Sequence, residues 1–241
     1  MKFENTEVWG FEHALRGMRN SMNSWDKTDS EYVTHIDYNT DEIYQDFEIG
    51  SNDMKLAKQL IKAGNEHRKF LHQIFVSVDI TAPMYWWSEF DTYKVGTVAN
   101  STSKMHKLAS TPITMDCFEM DDYDESVDVE FSENGAYLLV KDAWAHLIKV
   151  CENLRKTYNE TKDKRYWKEL IRLLPESWLQ KRTVTMNYEN ILNMYHQRKN
   201  HKLNEWSGKD DPAKPNFCTW VLELPYAQEF FIEPFEKRET K

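Results

Sequence analysis

Between residues 74 and 80 the chain is apolar at every second position, Ile74, Val76, Val78 and Ile80, with Ser77 and Asp79 between them. That is the period of a strand with one buried face. A helix is expected after it: Thr81 offers a cap, Pro83 falls in the first turn, and Met84, Trp87, Phe90 and Lys94 recur at helical spacing. Ahead of the strand, Asn52-Asp53 is read as the cap of a helix from Met54 to Ala63 with Leu56, Leu60 and Ile61 on one face.

Helical periodicity returns from Ala136, where Val140, Trp144, Leu147, Cys151 and Leu154 step by three and four, so Cys151 reads as a packing residue. After the turn YNETKDKR, a second helix carries Trp167, Leu170, Ile171 and Leu174 and stops at Pro175. A third runs from about Asn187 with Ile191, Leu192 and Tyr195 inward. SGKDDPAKPN is a loop, NFCTWVLELPYAQEFF a packed helix interrupted at Pro225, and EKRETK a frayed tail.

Residues 1–53 say least. Phe11, Ala14, Leu15 and Met18 make one helical stripe, SMNSWDKTDSEY reads as loop, and the acidic tract DYNTDEIYQDFEIG as cover for an edge of the fold. Trp9 and His13 are weighed as pocket lining, with core packing preferred for Trp9 and a surface place for His13.

The 241 residues show no dividing linker, so a single domain spanning 1–241 is expected. A net charge of −9 argues against a nucleic-acid binder, which needs a clustered basic face, and leaves small anionic ligands open. The three cysteines, Cys117, Cys151 and Cys218, lack paired metal spacing and suit a reduced cytosol. With no signal peptide and no membrane-spanning run, the expectation is a cytoplasmic protein.

Several catalytic signatures are missing. The seven glycines form neither a phosphate loop nor a dinucleotide fingerprint, and no Gly-x-Ser-x-Gly elbow occurs. His67 and His72 do not share a helix face as a zinc pair would. Asp121, Asp122, Asp124 and Glu125 lack the spacing and glycine of a calcium loop and read as a solvated acidic loop. No metal site is expected.

One longer pattern does emerge. From Gly64 to Ser101 the order helix, strand, helix, loop resembles the flavin-dependent thymidylate synthases (ThyX). Laid without gaps, the family pattern puts its Gly-His turn on Gly64-Asn65, its Glu-His pair on Phe70-Leu71, its Ser-Arg pair on Ala82-Pro83 and a glutamine on Ser88. Its Arg-His-Arg signature, followed by seven residues and Ser, falls on Asp91-Thr92-Tyr93 and Ser101. A second region agrees: Arg172 precedes Leu174-Pro175, Asn187 opens a helix, Glu189 stands where the family has Arg, Asn193 and Arg198 follow at the family spacing, and Leu203-Asn204-Glu205-Trp206 replaces Ala-Gln-Trp-Glu. Together these regions span most of residues 54 to 206.

The resemblance implies an α/β (α+β) fold with a central, mainly antiparallel sheet flanked by helices. It also implies FAD as cofactor, a dUMP-like nucleotide ligand and a homotetramer. By resemblance Ser101, Arg172 and Arg198 would touch the nucleotide, with Thr92 and Tyr93 as neutral donors where charged ones stood, and Asn187 and Asn193 would face the flavin. Each has a plain structural reading beside it: Asn187 as helix cap, Arg172 and Arg198 as surface cations, Ser101 as a loop serine, Asn193 toward solvent, Tyr93 as packing.

The departures bear on activity. Family members activate the nucleotide with arginines, and here Arg-His-Arg has become Asp-Thr-Tyr, a local change from about +2 to −1. At 4 Å each unit of charge is worth roughly 1 kcal/mol in water and about 4 kcal/mol at an effective dielectric near 20. The expectation is therefore a noncatalytic nucleotide- or flavin-binding protein, of a kind resembling proteins carried by bacteriophages. An active thymidylate synthase-like enzyme and a purely structural protein remain as alternatives.

Overall fold

A computed structural model describes residues 1–103, 108–129 and 138–236. The alternating apolar run is strand β4 (Phe75–Pro83), in which Val76, Val78, Ile80 and Ala82 are fully buried while the residues between them are partly exposed. It hydrogen-bonds into a four-stranded sheet of order β1-β4-β8-β5, with β1 at Lys2–Trp9, β8 at Leu179–Asn187 and β5 at Val98–Ser101, while two short strands, β6 (Asp128–Val129) and β7 (Leu138–Leu139), pair antiparallel with each other. The sheet is mainly antiparallel and the fold is mixed helix and strand, as expected.

Two compact units interleave along the chain. The first comprises Met1–Lys2, Ile80–Thr92 and Asn100–Thr183; the second comprises Phe3–Asp79, Tyr93–Ala99 and Val184–Lys241.

In the first unit, helix α3 (Met84–Phe90) buries Trp86, Trp87 and Phe90, with the Trp86 and Phe90 rings stacked at 5.2 Å. Pro83 is its N-cap and Thr81 remains inside β4, so the helix starts later than the capping reading placed it, and Lys94 lies beyond its end. The helix read from Ala136 is α4 (Val140–Thr161); Ala136 itself lies outside the described residues. With α5 (Lys164–Leu173) it packs around Leu108, Ile113, Phe118, Cys151 and Leu170, which makes Cys151 a core residue. Glu152 ties the preceding loop to α4 by accepting from Ile113 N at 2.9 Å while pairing with Arg155, whose guanidinium donates to Ala109 O at 3.1 Å.

The second unit holds α1 (Phe11–Met18), whose buried residues Phe11, Ala14, Leu15 and Met18 are the stripe read from the sequence. Helix α2 runs from Ser51 to Ala63. Its cap comes from a distance: the Asp29 carboxylate accepts from Asn52 N at 2.8 Å and Asp53 N at 3.0 Å. Asp53, read as a cap, is instead fully buried and accepts from Arg19, Thr28 and Ser30. Burial alone would raise its pKa, but the hydrogen bonds from Ser30, Thr28 and Arg19 outweigh it and hold the carboxyl below its ordinary value.

The acidic cover tract is also more regular than its composition suggested. Strands β2 (Glu31–Asp37) and β3 (Glu42–Glu48) form an antiparallel hairpin in which Tyr32 faces Phe47 and Ile36 faces Ile43. Helices α6 (Tyr188–Arg198), α7 (Asn204–Ser207) and α8 (Phe217–Leu222) follow β8. Beyond Pro225, Gln228–Ile232 winds as a wide helical turn that buries Phe230 and Phe231. The frayed-tail reading falls on Glu236 and on 237–241, which lie outside the described residues.

Among the described residues no helix is long and apolar enough to cross a membrane, and no group of three or more His, Cys, Asp or Glu stands ready to hold a metal. The acidic cluster is used internally instead: Asp121 lies 3.0 Å from the Met1 ammonium, and Asp124 accepts from Ser126.

Candidate functional site

The sequence-predicted residues fall into both units. In the second, Asn187 ends β8 and caps α6: its Oδ1 accepts from Asn190 N at 2.9 Å, and Asn190 Oδ1 lies 3.4 Å from Asn187 N, a reciprocal capping box. Asn190 Nδ2 then donates to Val95 O at 2.7 Å, holding the 93–97 loop against the helix start. The approach is close enough to demand glycine. Gly96 has φ +75°, and a Cβ there would stand 2.8 Å from Asn190 Oδ1 and 3.0 Å from Asn187 Nδ2.

At the other end of α6, Arg198 meets Tyr93. Its Nε donates to Tyr93 Oη at 2.8 Å, and its guanidinium lies over the Tyr93 ring at 5.5 Å and the Trp206 ring at 4.8 Å. Tyr93 Oη in turn donates to Gln197 Oε1 at 3.0 Å. Arg198 is thus a positioned cation among aromatic rings rather than a loose surface one, and Tyr93 is both packing and hydrogen-bonding.

Asn193 belongs to a third cluster in this unit. Arg68 donates from Nε and Nη2 to both Glu189 oxygens at 2.8 Å each, with both side chains more than nine-tenths buried. The Asn193 amide bridges the pair, accepting from Arg68 Nη2 at 3.2 Å and donating to Glu189 Oε1 at 3.0 Å. The glutamate found where the resembled family has arginine is therefore satisfied by an arginine 121 residues earlier in the chain. Asn193 contacts this buried pair while remaining partly exposed.

In the first unit the predicted residues are not gathered. Thr92 donates its hydroxyl back to Glu89 O at 2.7 Å, a local bond at the end of α3. Ser101 is exposed at the end of β5, on a strand rather than in a loop. Arg172 is an exposed cation paired with Glu169 one helical turn away. Asp91, the acid that opens the altered signature, accepts from Arg182 Nη1 at 2.6 Å. Arg182 is well buried, lies 4.1 Å over the Trp87 ring and donates from Nε to Gln180 Oε1 at 3.0 Å.

Sequence reading missed Arg68, Gln197 and Arg182 as partners, and it missed β8 altogether. The signal for β8 is the β-branched alternation Thr183-Val184-Thr185, diluted by Gln180-Lys181-Arg182 before it. Trp9, expected in the core, is 44% exposed; it stacks on Phe75 at 5.9 Å and lines a cavity with the exposed His13.

No family model and no curated protein sequence matches the chain. Solved structures do. The flavin-dependent thymidylate synthase ThyX of Helicobacter pylori, complexed with FAD and dUMP, is similar with a TM-score of 0.60 over 98% of this chain and 100% of that one, at 16% identity. The UMP/dUMP methylase PolB of Streptomyces cacaoi, bound with 5-Br dUMP, is similar with a TM-score of 0.50 over 80% of this chain and 76% of that one, at 11% identity. The chain therefore has a ThyX-like fold, the one its residue pattern implied.

Proposed function

We propose that the protein is a ThyX-fold binder of a pyrimidine nucleotide or flavin that does not run the thymidylate synthase reaction. The observation that carries this reading is Arg198, a guanidinium fixed by Tyr93 Oη and flanked by two aromatic rings. A positioned cation beside ring faces suits an anionic, planar ligand. Gln197 supplies an amide beside it, and Asn187, Asn190 and Asn193 supply others further back along the same helix; amides suit carbonyl and phosphoryl oxygens, which nucleotides and flavins share. FAD is the cofactor that the resemblance implies, and it would supply electron transfer; of the two residues the resemblance assigns to it, Asn187 keeps only its Nδ2 outside the helix cap, and Asn193 spends its amide on Arg68 and Glu189. The solved structures of this fold that carry dUMP, 5-Br dUMP or FAD support the same ligand class.

The noncatalytic part rests on Asp91. With an acid held by Arg182 where the family presents its activating arginine, the polarising charge for a bound uracil is missing from that position. Ser101, Thr92 and Arg172 enter this reading only through the resemblance. We also carry in it a cytoplasmic, homo-oligomeric protein acting as one functional domain.

The test is the absorbance spectrum of the purified protein, with mass spectrometry of small molecules released on denaturation. A released pyrimidine nucleotide, or a melting temperature raised by dUMP and lowered in response by Arg198→Ala, is the expected result. Flavin-dependent formation of dTMP from dUMP would overturn the noncatalytic assignment. An empty protein that no nucleotide or flavin stabilises would overturn binding.

A further inference from the structure

The second unit also contains a cavity of about 750 Å³ that none of Tyr93, Asn187, Asn193 or Arg198 lines. It opens between the end of β1, the start of α1, the β2–β3 hairpin and the turn at Pro225-Tyr226. Its size falls in the range of about 300–1,000 Å³ typical of small-ligand sites.

Its wall is aromatic. Trp9, Phe11, Tyr32, Phe47 and Tyr226 contribute rings, with Phe11 edge-on to Tyr226 at 5.4 Å and Tyr32 edge-on to Phe47 at 5.3 Å. The wall is also tied together. Tyr226 Oη accepts from Ile49 N at 3.1 Å and lies 3.4 Å from Phe47 O, which anchors the end of the hairpin to the turn. Gly10 closes the floor: at φ +100° it lies so near Gln73 O that a Cβ would stand 2.3 Å away.

The charge on this wall has one sign. Among the described residues Glu12, Asp46 and Glu48 line it and no lysine or arginine does; Arg16, outside the lining, pairs with Glu12 at 3.9 Å, which leaves Asp46 and Glu48 as the carboxylates with no lysine or arginine in the wall. Glu12 accepts from Tyr32 Oη at 3.1 Å, and Glu48 lies 3.2 Å from His35 Nε2, so two of the carboxylates are held beside rings. Ring faces with carboxylates at the rim attract a cation carried on an apolar body and repel an anion.

We infer that this cavity binds a small organic cation, an amine or quaternary ammonium on a flat or aliphatic body. The site is chemically opposite to the guanidinium at Arg198 and does not depend on it. Isothermal titration with benzyltrimethylammonium tests it, with benzyl alcohol as the uncharged probe and phenylacetate as the anionic one. Benzyltrimethylammonium is expected to bind at one site per chain, roughly tenfold tighter than benzyl alcohol, with no binding of phenylacetate.

Asp46→Asn combined with Glu48→Gln, and separately Trp9→Ala, should each weaken binding about tenfold. These side chains are exposed, and an unchanged melting temperature of each variant confirms folding. Nucleotide-induced stabilisation should persist in them, which separates this site from the one at Arg198. Equal affinity for the alcohol and the ammonium, no binding of the ammonium at about 10 mM, or wild-type affinity in the variants would each overturn the inference.

Discussion

The buried pair Arg68–Glu189 gives the sharpest test of how this chain accommodates its altered residues. Glu189→Ala removes both carboxylate oxygens that Arg68 meets at 2.8 Å and leaves the guanidinium with Asn193 Oδ1 at 3.2 Å, inside a region where both side chains are under a tenth exposed. An uncompensated buried charge typically costs about 3–5 kcal/mol. For a chain of this length each kcal/mol lowers the melting temperature by roughly 2–4 °C, so a fall of about 6–20 °C is expected. Replacing both partners with apolar residues of similar volume, Arg68→Met with Glu189→Leu, should recover most of it, because no charge is left to desolvate.

Urea and thermal unfolding of Arg68→Met, Glu189→Leu and the double variant form a cycle that isolates the pair. Asn193→Ala is the internal control. It removes one neutral amide from each partner and should cost only about 1–2 kcal/mol. A loss below about 1 kcal/mol for Glu189→Ala, or a double variant no more stable than the single, would refute the claim that the two charges exist for each other.

Other outcomes follow from the same geometry. The Arg155 hydrogen bonds hold the Glu152 carboxyl at about 2, against an ordinary 4.5. Its contribution is thus full above about pH 5 and drains as pH falls toward 2; it is on the order of 1 kcal/mol after solvent screening, and Glu152→Gln should flatten the acid limb of a stability–pH curve by that amount. Burial pushes the Cys218 thiol up to about 12 and raises that of Cys151, while Cys117 is partly exposed. Alkylation at pH 8 followed by intact mass should therefore show one fast thiol per native chain and two that react only on unfolding. Gly96→Ala places a Cβ 2.8 Å from Asn190 Oδ1 at positive φ and should cost at least about 1–2 kcal/mol, read by thermal unfolding, whereas Gly64→Ala meets no atom within 4 Å and pays only for its own positive φ.

What was legible in the sequence was whatever one period decides. The α1 stripe, the β4 alternation and the Asn187 cap depend on neighbours within a few residues, and each stands as read. The strands β1, β2, β3 and β8 were missed because their polar content masks the alternation: β2 and β3 carry acids at Glu31, Asp37, Glu42, Asp46 and Glu48, and β8 carries a basic pair. Their pairing is tertiary and leaves only a weak local trace. The ThyX-like frame was readable from spacing alone, whereas the partners of Asp91 and Glu189 lie 91 and 121 residues away in sequence and left no spacing to read.

Those two partners change the meaning of the lost signature. Read along the chain, Asp91 and Glu189 stand where the resembled family has arginines, and Asp91 ought to leave its corner hostile to an anion. In the folded units each acid has its own arginine, Arg182 at 2.6 Å and Arg68 at 2.8 Å, so neither stands as a bare charge. At 4 Å and an effective dielectric near 20 a lone acid would oppose a phosphate by about 4 kcal/mol, and pairing removes most of that penalty. The same pairing commits Arg182 and Arg68 to internal contacts, which leaves them poorly placed to polarise a substrate. Catalytic polarisation needs a cation aimed at developing charge, while retention of an anion needs only that no unpaired acid opposes it. On the proposed reading, loss of the first without loss of the second is what would make this chain a binder rather than an enzyme.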